Sequence, residues 1–504
     1  MDEAGMQAGA AVTDYRLYIG GTWSQALGGA RFDSVNPFDG EVCATLADAG
    51  PQDVERAVAS AREAFDRGPW GRMNGYERGR LMLRLADLVE SRADHIARVE
   101  TVDNGKVIRE TTSHARFAVR SYRFFAGLAD KIGGDVIPLD QPAIFDYTLR
   151  EPLGVCGLIL AWNSPMSLLA NKLAPALAAG NTVVVKPSEH ASASVLEFAR
   201  AVEEAGFPPG VFNVVTGSGP AAGQALASDD RVDLLSLTGG IQGGRAVGIT
   251  AAQHLTRLLL ELGGKSPHIV FEDADLERAV PGVLAGIFGA AGQTCIAGSR
   301  LLLQESIHDR FLERLLDRVR HIRLGDPRDP ATEMGPLANR VQYERVQRYV
   351  QSGIDGGARL ACGGRKVSSE PLGRGYFVEP TVFVDADNSM KIAREEIFGP
   401  VLSVLRFRDE EEALRIANDT EFGLASGIWT QDMARAFRMS RGLRSGTVWV
   451  NTYRTISPAA PFGGYKKSGV GRERGVDALL EYTQVKNVMI DYSAASRDPF
   501  AVRT

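Results

Sequence analysis

The chain has 504 residues, of which 44% are hydrophobic and 24% are charged. These values are typical of a globular protein, and the length predicts two or three domains rather than one core. Lysine and arginine together number 57 and aspartate and glutamate 62, so the net charge of −5 argues against nucleic acid or an anionic membrane as the main partner.

The cysteines and the hydropathy pattern limit the class of protein further. The four cysteines lie far apart, without a CxxC pair or the Cys/His spacing of zinc sites, so we predict no metal site. A disulfide scaffold is not expected at this length, which favours a reducing compartment. No apolar run reaches the ~18 residues that suggest a membrane span, and the N-terminus lacks a signal pattern. We therefore expect a cytoplasmic protein without a membrane partner.

The first third of the chain is predicted to be a loose tail at residues 1–13 followed by packing helices. Apolar residues at helical spacing place these helices at about 52–67, from Tyr76 onward, at 93–103 and at 110–130.

The pattern changes at residues 131–150. Gly133, Gly134 and Pro138 interrupt the segment, and residues 143–150 then alternate loosely. We predict a two-stranded arm, with its partner strand near Val485–Asp491. An arm with exposed edges needs covering, and association of subunits would cover it.

From Val155 onward, short apolar runs alternate with helical patterns. Such alternation predicts a parallel, doubly wound α/β sheet, which binds ligands at the carboxyl ends of its strands. A second α/β series begins at His268. The predicted strands are 155–160, 182–185, 212–215, 234–237 and 258–262, and then 380–384, 401–407 and 447–450.

Cys295 is the centre of the stretch from Gly286 to Arg300, which is rich in glycine, alanine and serine. Few side chains stand in the way of a ligand there, and the backbone N–H of Cys295 is a candidate oxyanion donor. A nucleophilic cysteine needs a base or a positive local field. The alternative is that Cys295 is a small buried filler.

Three polar residues follow predicted strands, and each has a structural alternative. Glu261 follows three leucines, so desolvation would raise its pKa as a general base requires, unless the strand end returns to water. The amide of Asn163 can stabilise an oxyanion, or form an Asx turn before Pro165. Lys186 points at the crevice of the sheet, or forms a surface ion pair at the strand end.

Two glycine-rich runs precede predicted helices. They are Gly217-Ser-Gly-Pro-Ala-Ala-Gly223 and Thr238-Gly-Gly-Ile-Gln-Gly-Gly244. Helix N-termini with small residues offer free N–H groups to a pyrophosphate, although turn glycines are more often structural. Glu189 can accept hydrogen bonds from ribose and would repel a 2′-phosphate, which favours NAD over NADP.

Taken together, these motifs resemble the aldehyde dehydrogenase superfamily over roughly residues 15–490. The motifs, in chain order, are Trp162-Asn-Ser-Pro165, Lys186-Pro-Ser-Glu189, Leu237-Thr-Gly-Gly240, Glu261-Leu-Gly-Gly-Lys265, Gly292-Gln-Thr-Cys295, Glu395-Glu-Ile-Phe-Gly-Pro400 and Pro461-Phe-Gly-Gly-Tyr-Lys-Lys-Ser-Gly469.

The resemblance implies NAD-dependent oxidation of a small-molecule aldehyde to the acid. Cys295 would be the nucleophile, Asn163 the oxyanion donor and Glu261 the base that activates water against a thioester. The implied cofactor residues are Lys186, Glu189, Gly219, Gly223, Thr238, Gly239, Gly240, Glu396 and Phe398.

The resemblance also implies an architecture. An NAD-binding domain would comprise residues 14–130 and 152–262, and a Rossmann-type sheet would form it. An α/β catalytic domain would span residues 263–465. Residues 131–151 and 478–495 would form a small β oligomerisation arm, and the family pattern implies a homodimer or homotetramer.

Glu261 favours hydrolysis over transfer to coenzyme A, because acylating members tend to lack this base. The alternatives are a coenzyme A-acylating enzyme or a non-catalytic protein of the same fold. A cysteine redox sensor is a further alternative, although no resolving cysteine lies nearby in sequence.

Two residues depart from the family pattern. Ser164 replaces a frequently aromatic residue and would widen or polarise the substrate tunnel. Gly240 replaces a serine whose hydroxyl reaches a cofactor phosphate, so cofactor affinity would be lower.

The substrate residues are less defined. By comparison with the family, Phe117, Ile296, Ile456 and Phe462 are expected to line the tunnel. Arg454 is a candidate for binding a carboxylate tail, since arginine binds carboxylates bidentately. The alternative is a solvated loop arginine.

Overall fold

The computed structural model describes residues 12–493 and residue 500. Most of the predicted tail, residues 1–11, and the last two residues of the predicted arm, 494 and 495, lie outside the described residues. No helix of the described part of the chain is long and apolar enough to cross a membrane.

The helices of the described residues include the four predicted before residue 131, which are confirmed. They are α1 (Pro51–Asp66), α2 (Gly75–Ser91), α3 (Ala93–Asn104), α4 (Ile108–Ala126), α5 (Pro165–Ala179), α6 (Ala193–Ala205), α7 (Gln224–Ala227), α8 (Ile241–His254), α9 (Leu276–Ile287), α10 (His308–Arg320), α11 (Arg340–Asp355), α12 (Lys391–Arg394), α13 (Glu410–Asn418), α14 (Met433–Gly442) and α15 (Gly475–Glu481).

The strands form four sheets. They are β1 (Thr13–Tyr15), β2 (Leu17–Ile19), β3 (Thr22–Ser24), β4 (Arg31–Val35), β5 (Val42–Ala47), β6 (Val136–Ile137), β7 (Ile144–Pro152), β8 (Val155–Ile159), β9 (Thr182–Lys186), β10 (Phe212–Val214), β11 (Leu234–Thr238), β12 (Arg257–Glu261), β13 (Pro267–Val270), β14 (Arg300–Gln304), β15 (Arg359–Cys362), β16 (Thr381–Val384), β17 (Val401–Phe407), β18 (Ala425–Trp429), β19 (Thr447–Val450), β20 (Gly469–Val470) and β21 (Thr483–Asp491).

The largest sheet has the order β20-β12-β11-β8-β9-β10-β2-β3. Its five central strands are parallel, as predicted, whereas β20, β2 and β3 are antiparallel additions at the edges. Because the central strands are parallel, β8, β9, β11 and β12 all end at the same edge. That edge carries the polar residues singled out in the sequence.

Local sequence fixes the helix that follows β8. Pro165 occupies the first turn of α5, where its fixed φ suits a helix and its missing N–H is not needed. Gly180 ends the helix with φ 98°, a left-handed conformation that glycine adopts without strain. The turn that leads into α5 therefore holds Asn163 at the end of β8.

The second large sheet has the order β15-β16-β17-β14-β13-β18-β19, with only β15 antiparallel to its neighbour. The loop that carries Cys295 lies between α9 and β14 of this unit. The third sheet, β1-β5-β4, is small and lies near the start of the chain.

The predicted arm is present, and it has three strands rather than two. β7 pairs with β21 antiparallel from Pro152 opposite Thr483 to Ile144 opposite Asp491, which confirms the predicted pairing. The short strand β6 adds to the other edge of β7. The arm exposes a row of apolar side chains: Val136, Phe145, Leu149, Val485, Met489 and Ile490.

Candidate active site

The loop that carries Cys295 is tightly packed against its surroundings. A Cβ on Gly292 would lie 2.0 Å from the carbonyl oxygen of Gly399, and a Cβ on Gly264 would lie 2.5 Å from the carbonyl oxygen of Cys295. Gly292 also has φ 71°, so a side chain there would be strained as well as crowded. The small residues thus allow backbone segments of both large sheets to approach the cysteine.

The Cys295 thiol is half-buried and packs against an apolar cluster that includes Ile296 and Phe462. Burial raises the pKa of the thiol to about 12, and the negative charges of Glu261 and Glu396 add to the effect. The thiol is therefore protonated at neutral pH until a base or a positive charge assists it. Cys295 thus lies near charged groups, whereas a cysteine that only fills space in the core would need no charged neighbours.

Asn163 reaches the nucleophile loop. Its Nδ2 donates to the carbonyl oxygen of Gln293 at 3.1 Å, and the residue is 8% exposed. The side chain thus bonds across to the cysteine loop rather than within its own turn. The neighbouring Ser164 donates to the carbonyl of Asn163 at 2.7 Å and accepts from Nζ of the buried Lys106 at 2.8 Å. These bonds place a hydroxyl group and a lysine beside Asn163, and the predicted effect of Ser164 on the tunnel stays a prediction.

Glu261 is the last residue of β12 and is 5% exposed, so this strand end does not return to water. Neither of its carboxylate oxygens has a hydrogen-bond partner among the described residues. Burial raises the pKa of Glu261 well above its usual value, and the charge of Glu473 adds to this. A carboxyl group held unpartnered and desolvated is suited to accept a proton from water.

Lys186 and Glu189 form an ion pair at the end of β9. Lys186 Nζ lies 3.3 Å from Glu189 Oε2, and the lysine side chain is 3% exposed while that of the glutamate is 33% exposed. The ion pair foreseen as an alternative is thus present, but its lysine is buried rather than on the surface. A Cβ on Gly223 would lie 3.6 Å from Cδ of Lys186, so the turn Gly219–Gly223 borders the same crevice.

The ends of β11 and α8 present unused donors to that crevice. The hydroxyl of Thr238 is buried without a partner among the described residues. Among the described residues, no side chain caps the start of α8, and a Cβ on Gly240 would meet no atom within 4 Å. A free hydroxyl and uncapped backbone N–H groups are what a phosphate group of a dinucleotide requires, so these residues fit the expected cofactor.

The second large sheet contributes the opposite wall of the crevice. Glu396 accepts a hydrogen bond from the backbone N–H of Gly264 at 2.9 Å, and burial raises the pKa of Glu396 to about 7. Phe398 has φ 61° and meets the ring of Trp162 edge to face at 5.3 Å. Two predicted cofactor residues therefore face the crevice from the unit that carries the nucleophile.

Two aromatic rings surround one buried cation near Cys295. The guanidinium carbon of Arg474 lies 5.0 Å from the ring centre of Phe117 and 4.7 Å from that of Phe462. Ile296 packs in the same cluster as Phe462, and Ile456 is half-buried nearby in sequence. The structure thus brings Phe117 and Phe462 together, around an arginine that was not among the predicted residues.

Arg454 binds the protein rather than standing free in a loop. It donates to the carbonyl oxygen of Ala285 at 3.0 Å. Burial alone would raise the pKa of the nearby Glu110, but the charges of Arg454 and Lys106 hold it below its usual value. Glu110 in turn accepts from the backbone N–H of Ala290 at 2.9 Å. Arg454 therefore shares its charge with a buried carboxylate behind the nucleophile loop.

Comparison with known proteins decides the family. The model of the aldehyde dehydrogenase family matches residues 23–488. The chain belongs to the aldehyde dehydrogenase family. The described part of this aldehyde dehydrogenase contains no group of three or more His, Cys, Asp or Glu side chains that could hold a metal ion.

Relatives of this aldehyde dehydrogenase have different named activities. It is 47% identical to (Z)-2-((N-methylformamido)methylene)-5-hydroxybutyrolactone dehydrogenase of Acinetobacter baylyi, over 97% of this chain and 99% of the relative. It is 44% identical to betaine aldehyde dehydrogenase of Bacillus subtilis, over 94% and 96% of the two chains. The substrates in these names differ in charge and shape, so family membership leaves the substrate open.

Solved structures agree on the fold. Betaine aldehyde dehydrogenase of Staphylococcus aureus in complex with NAD+ superposes with a TM-score of 0.95 at 39% identity, covering 96% of this chain and 97% of that one. An NAD-dependent aldehyde dehydrogenase of Sinorhizobium meliloti gives 0.95 at 42% identity, covering 97% of each. These likenesses confirm the α/β fold predicted from the sequence.

Sequence reasoning missed the charged residues around Glu261 in this aldehyde dehydrogenase. Lys172 is fully buried, donates to Ser236 Oγ at 2.9 Å and forms a short ion pair with Glu473. Arg474 follows Glu473 directly. A lysine inside the mostly apolar helix α5 was the available signal for this cluster. Nothing local marked the Glu473-Arg474 pair, because its partners lie far away in the chain.

Proposed function

We propose that this chain oxidises an aldehyde to the carboxylic acid with NAD. One observation carries the proposal: the Cys295 thiol, the Asn163 amide and the unpartnered Glu261 carboxyl meet between the two large sheets, beside a crevice that fits a dinucleotide. These are the nucleophile, the oxyanion donor and the base that the reaction needs.

Cys295 forms the covalent intermediate. Its sulfur adds to the aldehyde carbon, and the carbonyl oxygen becomes an oxyanion. Nδ2 of Asn163 uses one hydrogen to bond Gln293, which leaves the second for the oxyanion together with the backbone N–H of Cys295. The positive charge of Arg474 opposes the burial and the acidic neighbours that raise the pKa of the thiol, and so assists the thiolate.

The crevice residues bind and orient the cofactor. Lys186 and Glu189 would hold the adenosine ribose, and Thr238, Gly239 and Gly240 with the Gly219–Gly223 turn would hold the pyrophosphate. Glu396 would hold the nicotinamide ribose, and Phe398 would lie near the ring. When bound, NAD accepts a hydride, and this leaves the acyl group on the sulfur of Cys295 as a thioester.

Glu261 completes the reaction. It removes a proton from a water molecule, whose oxygen attacks the thioester carbon. The C–S bond then breaks, the carboxylic acid is released, and Glu261 passes the proton to the departing sulfur of Cys295. Both carboxylate oxygens are free to take this proton, since neither has a partner among the described residues. The presence of this base supports hydrolysis rather than transfer to coenzyme A.

We infer that NAD is preferred over NADP. Glu189 lies at the end of β9, where an adenosine ribose would bind, and its carboxylate would repel a 2′-phosphate. The relative of known structure from Staphylococcus aureus was solved in complex with NAD+, in agreement with this preference.

We further propose that the chain forms a homodimer or homotetramer through the three-stranded arm. The exposed apolar side chains of β7 and β21 favour burial against another subunit, because a three-stranded sheet with such faces is poorly covered alone. Replacing Met489, 59% exposed, with aspartate would put a charge into this contact. We expect M489D to lower the mass measured by light scattering.

The domain boundaries and the compartment stay predictions. The two large sheets support an NAD-binding domain of residues 14–130 and 152–262 and a catalytic domain of residues 263–465. β20 lies after residue 465 and joins the first sheet. All four cysteines are free thiols, which supports the reducing environment of the cytoplasm.

The decisive test is NADH formation from NAD and a panel of aldehydes, with and without coenzyme A. We expect turnover that does not need coenzyme A and that C295A lowers by at least about 10⁴-fold while NAD still binds. Turnover that requires coenzyme A would favour the acylating alternative. Binding of NAD without turnover of any aldehyde would favour the non-catalytic alternative.

A further inference from the structure

Arg474 is a buried cation in the pocket beside Cys295 that the reaction chemistry leaves without a direct partner. It is 9% exposed. Its segment is anchored to the pocket wall, because Phe462 and the adjoining Glu473 exchange two backbone hydrogen bonds of 2.6 and 2.7 Å. A buried arginine is expensive unless something uses its charge, so its presence calls for an explanation.

The guanidinium is held in one plane. The rings of Phe117 and Phe462 lie 5.0 and 4.7 Å from its central carbon. Its Nε donates to Oδ1 of Asn171 at 3.0 Å, and Asn171 is itself 2% exposed. The two terminal amino groups donate to no acceptor among the described residues, and both keep some accessible surface. A fixed pair of free N–H donors therefore faces the pocket.

The charge of Arg474 is not neutralised by the nearby acids. Glu473 is paired with Lys172 on the buried side. Burial and the charge of Glu473 raise the pKa of Glu261 well above its usual value, which favours the uncharged form of Glu261. Within the described residues, no carboxylate lies at salt-bridge distance from Arg474. Arg472 adds a further positive charge nearby. The pocket is thus positive where the guanidinium faces it.

The backbone of Arg474 is also strained. It has φ 63° and ψ 169°, a region that glycine occupies almost alone. An L-residue placed there loses stability, and a glycine would fit better. Strain of this kind is typical of residues that are held for binding rather than for packing.

We propose that Arg474 determines substrate specificity by binding a carboxylate at the far end of the aldehyde, so that the preferred substrates are linear aldehydes with a terminal carboxylate. This inference rests on the proposed aldehyde oxidation. The planar guanidinium matches a carboxylate bidentately, and the two phenylalanine rings flank the chain that connects the carboxylate to the aldehyde carbon.

The same geometry disfavours cationic aldehydes. A trimethylammonium group in this pocket would meet the like charge of Arg474. Although two relatives of this chain are named betaine aldehyde dehydrogenases, we expect betaine aldehyde to be a poor substrate here.

The main experiment compares semialdehydes of about four to six carbons with their neutral methyl esters, by kcat/KM. We expect the wild type to prefer the carboxylates, and R474M to reduce that preference by between about 10- and 100-fold. Activity on the esters should fall only by the part of the effect that comes from the charge of Arg474 near the Cys295 thiol, which carboxylates and esters share. R474K, which keeps the charge but loses the bidentate fork, should retain part of the preference. An unchanged preference in R474M would overturn the proposal.

Two further variants separate binding from folding and from the rival arginine. R474G removes the side chain and relieves the strained backbone, so its melting temperature should equal or exceed that of the wild type while the preference is lost. R454Q tests the arginine that shares its charge with Glu110. We expect R454Q to affect carboxylates and esters by the same factor. If R454Q and not R474M abolishes the preference, the carboxylate binds at Arg454 and the proposal is wrong.

A binding assay distinguishes failure of this inference from failure of the proposed function. Glutarate, a dicarboxylate without an aldehyde, should protect Cys295 from iodoacetamide in the wild type but not in R474M, and dimethyl glutarate should protect neither. Turnover of esters without any effect of Arg474 would refute the inference and leave aldehyde oxidation intact. Absence of turnover with every aldehyde, with protection still present, would refute the oxidation and leave the carboxylate site.

Discussion

The proposed cofactor crevice and the proposed substrate pocket, both near Cys295, are assembled from the chain in different ways. In the crevice, Lys186, Thr238 and Glu261 are the last residues of β9, β11 and β12. Parallel strands of one sheet bring their carboxyl ends to one edge, so each of these residues reaches the crevice through its own strand. The crevice is therefore a consequence of sheet topology.

The pocket instead depends on contacts between distant segments. Phe117 comes from α4 and Asn171 from α5, whereas Phe462 and Arg474 come from the segment near the C-terminus. The hydrogen bond from Arg474 to Asn171 joins residues 303 positions apart. No periodicity along the chain indicates such a contact, because it depends on how the C-terminal segment returns to the first sheet through β20.

One segment connects the two regions. β20 pairs antiparallel with the end of β12, and Ser468 Oγ donates to the carbonyl oxygen of Gly263 at 2.7 Å. Glu473 and Arg474 follow directly and lie beside Glu261. Glu261 is thus positioned by its own strand, β12. Its pKa is raised by burial and also by the charge of Glu473, which is distant in the sequence.

The largest expected effect concerns Glu261, the residue shared by both regions. E261Q cannot deprotonate water, so steady-state turnover should fall by about 10²- to 10⁴-fold. Hydride transfer precedes hydrolysis and should survive, which predicts a burst of about one NADH per active site in stopped-flow absorbance. Loss of the burst along with turnover would mean that Glu261 acts before the thioester forms.

A smaller effect is expected from Glu473, which tests the control by the remote segment. Because the charge of Glu473 raises the pKa of Glu261, E473Q should lower that pKa. The active, deprotonated form of Glu261 would then be present at lower pH, and the acid limb of the kcat profile should move to lower pH.

The control for Glu473 is E344Q, a change in an exposed ion pair with Arg340. It should leave the pH profile in place. If the acid limb of E473Q stays at the same pH or moves to higher pH, the charge of Glu473 does not raise the pKa of Glu261.

Most of the first sheet and of the crevice could be predicted from the sequence. The apolar runs mark the strands, and the polar residues at their ends come together because parallel strands end at one edge of the sheet. Asn163, Lys186 and Glu261 were identified in this way. The surroundings that set their chemistry were not predicted: the lysine of the Lys186–Glu189 pair is buried, and the charge of Glu473 raises the pKa of Glu261.

The pocket was predicted less well for the same physical reason. Phe117 and Phe462 were expected from family resemblance and do lie together around one cation. The cation predicted to bind a carboxylate was Arg454, which donates to the carbonyl oxygen of Ala285, and that role stays a prediction. The choice between two arginines depends on long-range packing and on an unusual backbone conformation at Arg474, neither of which local sequence shows.

The smallest expected effect comes from adding a single hydroxyl group to the cofactor crevice at Gly240. Gly240 precedes α8 with φ −78° and ψ 160°, which any residue adopts, and a Cβ there would meet nothing within 4 Å. G240S should therefore be accepted without strain. Its hydroxyl can cap α8 or bond a phosphate, so we expect the KM for NAD to fall several-fold.

G240A separates the two contributions of the serine, because it supplies the Cβ without the hydroxyl. If only G240S binds NAD more tightly, measured by quenching of protein fluorescence, the hydroxyl reaches the phosphate and the glycine weakens the wild-type site. If G240S raises the melting temperature without changing NAD affinity, the hydroxyl caps the helix instead. The backbone N–H groups and Thr238 would then suffice for the phosphate, and the crevice would need no side chain at this position.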